Sequence, residues 1–307
     1  MDKKNLNLNN GLTIPIIGLG TGSYEKTEEI VYQSIKDGTR LIDTASAYKN
    51  EVEVGKGIKR AIDEGIIKRE DLFVITKCGL NEKEDPEKAL KASLERLNLP
   101  FVDLYLDHWP AGKKYNGKAD FKLISIKEFW PKMESLVEKG LTKSIGVSNY
   151  NVQNILNILS ICKIKPAANE IEFHPYLFQK DLKEFCEKEG IVVIGYNPMV
   201  KGAYCKEREE YIKERKLRFD LFNEEIVVNL AKKYGKTVGQ IILNWHLHTG
   251  DIPIPSSSNP NRMKENLGAA DFKMDENDYK EMNSFEEKGK QLRFCSGFGI
   301  YGIDIFA

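Results

Sequence analysis

The 307-residue sequence predicts an α/β chain closed into a (β/α)8 TIM barrel, with an N-terminal β-hairpin and long loops over the C-terminal face. Three observations carry this expectation. Short apolar runs alternate with amphipathic stretches of helical period, as in a parallel sheet whose strands are joined by crossover helices. There are eight such runs, the number at which this architecture closes on itself. The residues that end the runs are ionisable or amide-bearing, and a barrel gathers all strand ends on one face. An open doubly wound sheet is the main rival. The expected organisation is one domain over residues 1–307.

The first segment, LNLNNGLTIP, alternates around Asn9-Asn10-Gly11 and reads as a hairpin. The eight runs follow: IPIIGLG, RLIDTA, LFVITK, VDLYLDH, SIGVSN, AANEIEF, IVVIGYN and DIPIPSS. Helices are expected between them. TEEIVYQSIKDG has Glu28 and Glu29 in its first turn and Gly38 as its stop. NEVEVGKGIKRAIDEG ends at Gly65, and DPEKALKASLERLN carries Pro86 in its first turn with Leu90, Leu94 and Leu97 on one face. SIKEFWPKMESLVEKG, NVQNILNILS, QKDLKEFCEKEG and NEEIVVNLAKKYG continue the series, and TVGQIILNWHLHTG and NPNRMKENLG bracket the eighth run.

The rival fold has one motif in its favour. GLGTG at 18–22 resembles part of a glycine-rich dinucleotide turn, but Ser23 stands where the third glycine belongs. The segment reads instead as a tight loop whose backbone approaches a ligand or another strand.

Lys+Arg and Asp+Glu both number 46, so the formal net charge is zero. That balance offers no electrostatic case for nucleic acid or an anionic membrane as a partner. The N-terminus lacks the apolar stretch of a signal peptide, and no apolar run approaches the ~20 residues of a membrane helix. Cys78, Cys162, Cys186, Cys205 and Cys295 are odd in number, scattered and never spaced as C-x-x-C. They read as reduced thiols of a cytoplasmic protein. No His/Cys/Asp/Glu group has metal-ligand spacing, so no metal is expected.

The strand ends carry Asp43, Lys77, His108, Ser148-Asn149, Glu170, Tyr196-Asn197 and Ser256-Ser257. Singly, each has an ordinary explanation: a turn-capping Asp, a snorkelling Lys, a hydrogen-bonded core His. Together, on one barrel face, they suggest a site. Three stretches without clear periodicity leave from that face: 111–126, 199–222 and the tail 289–307. The charge-rich piece within the second reads most simply as a solvated helix or loop. The tail has too many aromatics for a disordered end and is expected to pack over the barrel mouth.

In order and spacing, DTASAYKNE, ITKCG, LYLDHWP, KSIGVSNY, NEIEFHPYL, GYNPM and IPIPSSSNPNRMKEN resemble the signature segments of the aldo-keto reductases. The match covers nearly the whole chain and is nearest the aldose and xylose reductase branch. The resemblance implies reduction of an aldehyde or ketone by hydride from NADPH, with Tyr48 giving the proton. Lys77 would lower the phenol's pKa, Asp43 would hold Lys77, and His108 would orient the substrate oxygen. Tyr196 would stack on the nicotinamide; Ser148, Asn149 and Glu170 would meet its carboxamide. Gly20, Thr21, Asn197 and Met199 would line the ribose and pyrophosphate. Ser256, Ser257, Arg262, Glu265 and Asn266 would hold the adenosine end.

Trp109, Gly22 and Cys295 would shape the substrate pocket. Four positions depart from the family pattern. Glu170 replaces a Gln, and Ser256 a Lys of the 2′-phosphate pocket, so NADH becomes usable. Gly22 replaces an aromatic, and Cys295 an Asn, which puts a strictly sugar-directed activity in question. The substrate would be a small carbonyl and the protein a monomer or weak homodimer. A nucleotide-binding barrel without catalysis, acting as a regulatory or structural subunit, is the alternative from another class.

Overall fold

Two residues of alternation decide which side chains line a barrel and which face its helices. The computed structural model describes residues 5–22, 25–111, 114–115, 118–119, 125–200, 220–285, 288–295 and 306. The hairpin strands are β1 (Asn5–Asn7) and β2 (Thr13–Pro15), followed by β3 (Leu19–Gly20), β4 (Leu41–Asp43), β5 (Phe73–Cys78) and β6 (Leu104–Asp107). A small antiparallel ladder, β7 (Lys114–Tyr115) with β8 (Lys118–Ala119), precedes β9 (Ile145–Ser148), β10 (Ala168–Glu172), β11 (Val192–Tyr196) and β12 (Ile252–Pro253). Strands β3–β6 and β9–β12 pair in sequence order, every pair parallel.

Two backbone hydrogen bonds join the first and last strands: Gly18 N–H to Pro253 O at 3.0 Å and Gly20 N–H to Pro255 O at 3.2 Å. The sheet is therefore a ring, and the open-sheet rival falls. The glycines are what permit the seam. A Cβ on Gly18 would lie 2.6 Å from Leu41 Cγ, and one on Gly20 2.8 Å from the Ile254 carbonyl oxygen. The close backbone approach read from GLGTG is present, here to another strand.

Leu41, Phe73, Ile75, Leu104, Leu106, Ala168, Ile194, Ile252 and Ile254 form one buried cluster inside the ring. Their neighbours of opposite parity, including Ile42, Val74, Tyr105, Val147, Ile171 and Val193, join the larger cluster under the helices. Two residues beyond Leu41, Ile75, Leu106, Ala168, Ile194 and Ile254 stand Asp43, Lys77, His108, Glu170, Tyr196 and Ser256. Strand period alone puts these on the inner face, one layer above an apolar floor. The other end is plugged by the hairpin, whose Leu8 and Ile14 complete the inner cluster. Asn9 Nδ2 donates to Pro166 O at 2.8 Å and Asn10 Nδ2 to Ser144 Oγ at 2.9 Å, fixing the plug to the ring.

The nine expected helices are present: α1 (Thr27–Lys36), α2 (Glu51–Asp63), α3 (Pro86–Leu97), α4 (Ile126–Glu138), α5 (Val152–Leu159), α6 (Lys180–Lys188), α7 (Glu225–Tyr234), α8 (Val238–Thr249) and α9 (Pro260–Leu267). Their ends follow local chemistry. Asp85 accepts from Lys88 N–H with Pro86 opening α3, and Thr237 and Gln240 cap each other's backbone at α8. A tenth, α10 (Glu276–Asn283), was not expected. Its run ENDYKEMN is mostly polar; Tyr279, buried and donating to Asn244 Oδ1 at 2.6 Å, anchors it to α8. Among the described residues no helix is long and apolar enough to cross a membrane. The four described cysteines, Cys78, Cys162, Cys186 and Cys295, are free thiols. Cys205, the charge-rich stretch 205–219 and most of the loop 111–126 and of the tail lie outside the described residues.

Gly20→Ala is expected to lower stability by about 1–3 kcal/mol, since a backbone carbonyl must move to admit the methyl. A urea midpoint unchanged from the parent protein would show that the seam yields freely.

Candidate active site

The layer above the apolar floor is centred on Lys77, which is fully buried. Its Nζ donates to Asp43 Oδ1 at 2.5 Å, to Thr44 O at 3.1 Å and to Tyr48 Oη at 3.2 Å. A second carboxyl, Glu170 Oε1, lies 3.3 Å from the same nitrogen. Burial opposes charge on Lys77, but Asp43 and Glu170 outweigh it and hold the ammonium protonated. Asp43 ends β4, and a single 3-10 turn, Ser46–Tyr48, brings the phenol back over the strand end. Lys49 closes that turn in the left-handed region, at φ 58°.

The phenol corrects one expectation. Its pKa lies above the ordinary tyrosine value: burial raises it, Lys77 opposes, and Asp43 and Glu170 offset Lys77. Tyr48 is therefore a neutral, proton-loaded phenol. His108 meets it edge-on, with ring centroids 5.8 Å apart, and stacks beside Trp109 at 6.4 Å. Burial and the charges of Lys77 and Lys83 keep the imidazole neutral, well below its usual range. A Cβ at Gly22 would sit 3.6 Å from the Tyr48 ring, so the glycine leaves that face of the phenol uncovered.

Ser148, Asn149, Glu170 and Tyr196 form a connected wall across β9, β10 and β11. Ser148 Oγ and Asn149 N–H both donate to Glu170 O at 2.9 Å, Tyr196 Oη donates to Asn149 Oδ1 at 2.7 Å, and Asn149 Nδ2 donates to His108 O at 3.0 Å. Asn149 and Asn197 adopt φ of 64° and 53°, a left-handed turn that asparagine tolerates and that stops each strand at its functional residue. Glu170 Oε2 is buried without a hydrogen-bond partner.

On the far side of the mouth, Asn197, Met199, Phe222, Ser256, Ser257, Arg262, Glu265 and Asn266 line a hollow of about 240 Å³, with Gly239 at its wall. Ser256 Oγ is already used, donating to Gly20 O at 3.1 Å across the barrel seam. Glu265 accepts from Thr237 Oγ1 at 2.6 Å. Arg262 is exposed and makes no ion pair among the described residues. Thr21 is buried and donates to Asp43 O at 2.9 Å, which places it beneath the site.

Two supporting clusters were not read from the sequence. Glu172, at the end of β10, accepts from the backbone N–H of Phe294 at 3.0 Å and of Cys295 at 2.8 Å, from Asn197 Nδ2 at 3.2 Å, and pairs with His174 Nε2 at 3.1 Å. Although burial works against it, these donors hold Glu172 ionised. Residues 294–295 are thereby held against the end of β10. Lys83 donates to Asp107 Oδ2 at 2.7 Å and Trp109 O at 2.5 Å, while Tyr150 Oη reaches the same Asp107 oxygen at 2.6 Å. His108 is thus clamped from both sequence neighbours. The signals available in the sequence were a carboxylate at a buried strand position in each of NEIEF and LYLDH.

The Aldo/keto reductase family model matches residues 16–287. The chain is 38% identical to aldose reductase B of Dictyostelium discoideum over 95% of this chain and 94% of that protein. It is also 38% identical to the NAD(P)H-dependent D-xylose reductase of Pachysolen tannophilus over 94% of each. Among solved structures, the aldose reductase of Schistosoma japonicum superposes with a TM-score of 0.85 at 30% identity, over 98% of this chain and 97% of that one. A Bombyx mori aldo-keto reductase in complex with NADP gives 0.83 at 34% identity, over 98% of both.

Lys77→Met should cost about 3–5 kcal/mol at neutral pH, because it strands two buried carboxyls without their cation. A buried, uncompensated acid has a folded pKa above its unfolded value. Its stabilising contribution is complete below the unfolded pKa and is lost as pH rises. The deficit of the variant is therefore expected to grow from pH 5 to pH 8. Urea unfolding at both pH values checks this, and a pH-independent deficit would show that the loss is one of packing alone.

Proposed function

The chain belongs to the aldo/keto reductase family, and from that premise we infer that it reduces aldehydes and ketones to alcohols with NADPH, using Asp43, Tyr48, Lys77 and His108 for proton delivery. The observation that carries this reading is one buried ammonium touching both a carboxylate, at 2.5 Å, and a phenol, at 3.2 Å.

The residues divide the chemistry by their charge state. Tyr48, a neutral phenol, holds a proton it can give to a carbonyl oxygen. Lys77, 3.2 Å away and always charged, stabilises the phenolate left behind, so its effect is largest in the transition state. Asp43 keeps Lys77 aimed and ionised. His108 is neutral and can donate one N–H to the same carbonyl oxygen, fixing the substrate's orientation. Trp109, Gly22 and Cys295 would shape the substrate pocket, with Gly22 leaving its side of the Tyr48 ring uncovered.

The residues fit a nicotinamide dinucleotide. The unpartnered Glu170 Oε2, with Ser148 and Asn149 alongside, suits a carboxamide, and the Tyr196 ring at the β11 end suits stacking. The hollow with Arg262, Ser257, Glu265 and Asn266 suits the adenosine end, with Gly20, Thr21, Asn197 and Met199 between the two. When bound, the reduced cofactor supplies hydride to the carbonyl carbon. We assign the activity to small free carbonyls and the protein to the cytoplasm, as a monomer or weak homodimer of one domain without nucleic-acid or membrane partners. The complete proton-delivery set argues against a catalytically silent barrel.

Tyr48→Phe is expected to cut carbonyl reduction by about 10²–10⁴-fold with NADPH affinity largely retained. Substantial residual turnover of glyceraldehyde would remove Tyr48 from the mechanism. Arg262→Ala should weaken NADPH far more than NADH, because only NADPH carries the 2′-phosphate that a guanidinium reads bidentately. Ser256→Lys should sharpen the NADPH preference by about tenfold, the worth of a charged hydrogen bond. Equal weakening of both cofactors by Arg262→Ala would assign the phosphate to other residues.

A further inference from the structure

Lys77 is one cation facing two carboxyls. Asp43 and Glu170 are both buried, at 2% exposure each, and their oxygens lie 2.5 and 3.3 Å from the same nitrogen. With both ionised, the cluster would carry a net negative charge in a dry site, a state that burial penalises strongly. Asp43 makes the short contact and is the carboxylate of the pair. Glu170 makes the longer one and a side-chain hydrogen bond with Asp43, and its Oε2 is buried with no donor reaching it. A bare carboxylate oxygen there is costly, whereas a carboxylic acid O–H donates to the Asp43 carboxylate and leaves the pair with one proton and one charge.

Resting on the cofactor reading above, we propose that Glu170 selects the redox state of the nicotinamide: protonated and bonded to Asp43, it is neutral and does not discriminate; ionised, it favours the oxidised cofactor. The reduced ring is neutral and the oxidised ring carries a positive charge, so a carboxylate beside it discriminates between them and a neutral acid does not. Burial and the neighbouring Asp43 push the Glu170 pKa up to about 8, inside the range where an enzyme works. The charged and titratable groups that act on it are Asp43 on β4, Lys77 on β5, Tyr196 on β11 and the phenol of Tyr48; His108 stands on the same layer beyond β6. His108, Tyr48 and Tyr196 are held neutral and Lys77 charged, mainly by the burial and pairing described for this layer, with burial raising Tyr196 well above the usual phenol range.

The test measures dissociation constants of NADPH and NADP+ between pH 6 and pH 9 for the parent protein and Glu170→Gln. The 2′-phosphate is common to both cofactors and cancels in their ratio. The ratio should move by about tenfold or more toward NADP+ as pH rises in the parent protein. It should stay flat in Glu170→Gln, which keeps the donor and cannot ionise. The cofactor-free protein at pH 6.5 should also show a protonated-carboxyl stretch in its infrared spectrum that Glu170→Gln lacks. A parent ratio independent of pH, or a pH dependence identical in the variant, overturns the selector while leaving cofactor binding standing. Failure of the parent protein to bind either cofactor overturns the cofactor reading and the selector with it. Should Glu170→Gln not fold, Glu170→Met takes its place, and its ratio should likewise be independent of pH.

Discussion

A lysine with no exposed surface is the constraint around which this barrel is arranged. Its ammonium can stay charged only because Asp43 reaches it from the neighbouring strand, and the pair is affordable only where every remaining donor is used. Thr44 O and Tyr48 Oη take those donors. The phenol is thereby fixed beside a permanent cation. Its own pKa stays high, so the cation does not strip the proton in advance but lowers the cost of giving it up.

Such a cluster needs a dry floor and a closed wall. The floor is the apolar layer of Ile75, Leu106, Ala168, Ile194 and Ile254, sealed from below by Leu8 and Ile14 of the hairpin. The wall closes where Gly18 and Gly20 approach Pro253 and Pro255, a contact that no side chain at these two positions would allow without displacing Leu41 or the Ile254 carbonyl. Ser256, offered by the sequence as a substitute for a cofactor-binding lysine, spends its hydroxyl on this same seam. Closure of the fold and shape of the cofactor hollow are therefore set by overlapping residues.

Around the cluster, two further buried carboxylates hold the site's edges rather than its centre. Asp107, with Lys83 and Tyr150, fixes the strand end that carries His108. Glu172 gathers two backbone N–H groups and an asparagine amide, and so holds residues 294–295 against the end of β10. Both turn a polar residue at a buried position into a positional restraint, which is effective because an unpaired donor in such a place is expensive.

The sequence by itself determined the eight strands, nine of the helices, the hairpin and the place of Asp43, Lys77, His108, Glu170 and Tyr196 at the strand ends. Those follow from local periodicity and caps, which short segments carry within themselves. It did not reveal α10, whose polar run is anchored by contacts distant in the chain, Tyr279 to Asn244 and Asp278 to Lys233 and Tyr234. Nor could it place Glu172 against residues 294–295 or Lys83 against Asp107, since partners far apart in the chain meet only after the ring has closed. The protonation states were also decided in three dimensions. Lys77 was expected to depress the Tyr48 phenol, and its charge does pull that way, but burial of the phenol outweighs it and Asp43 adds to the rise.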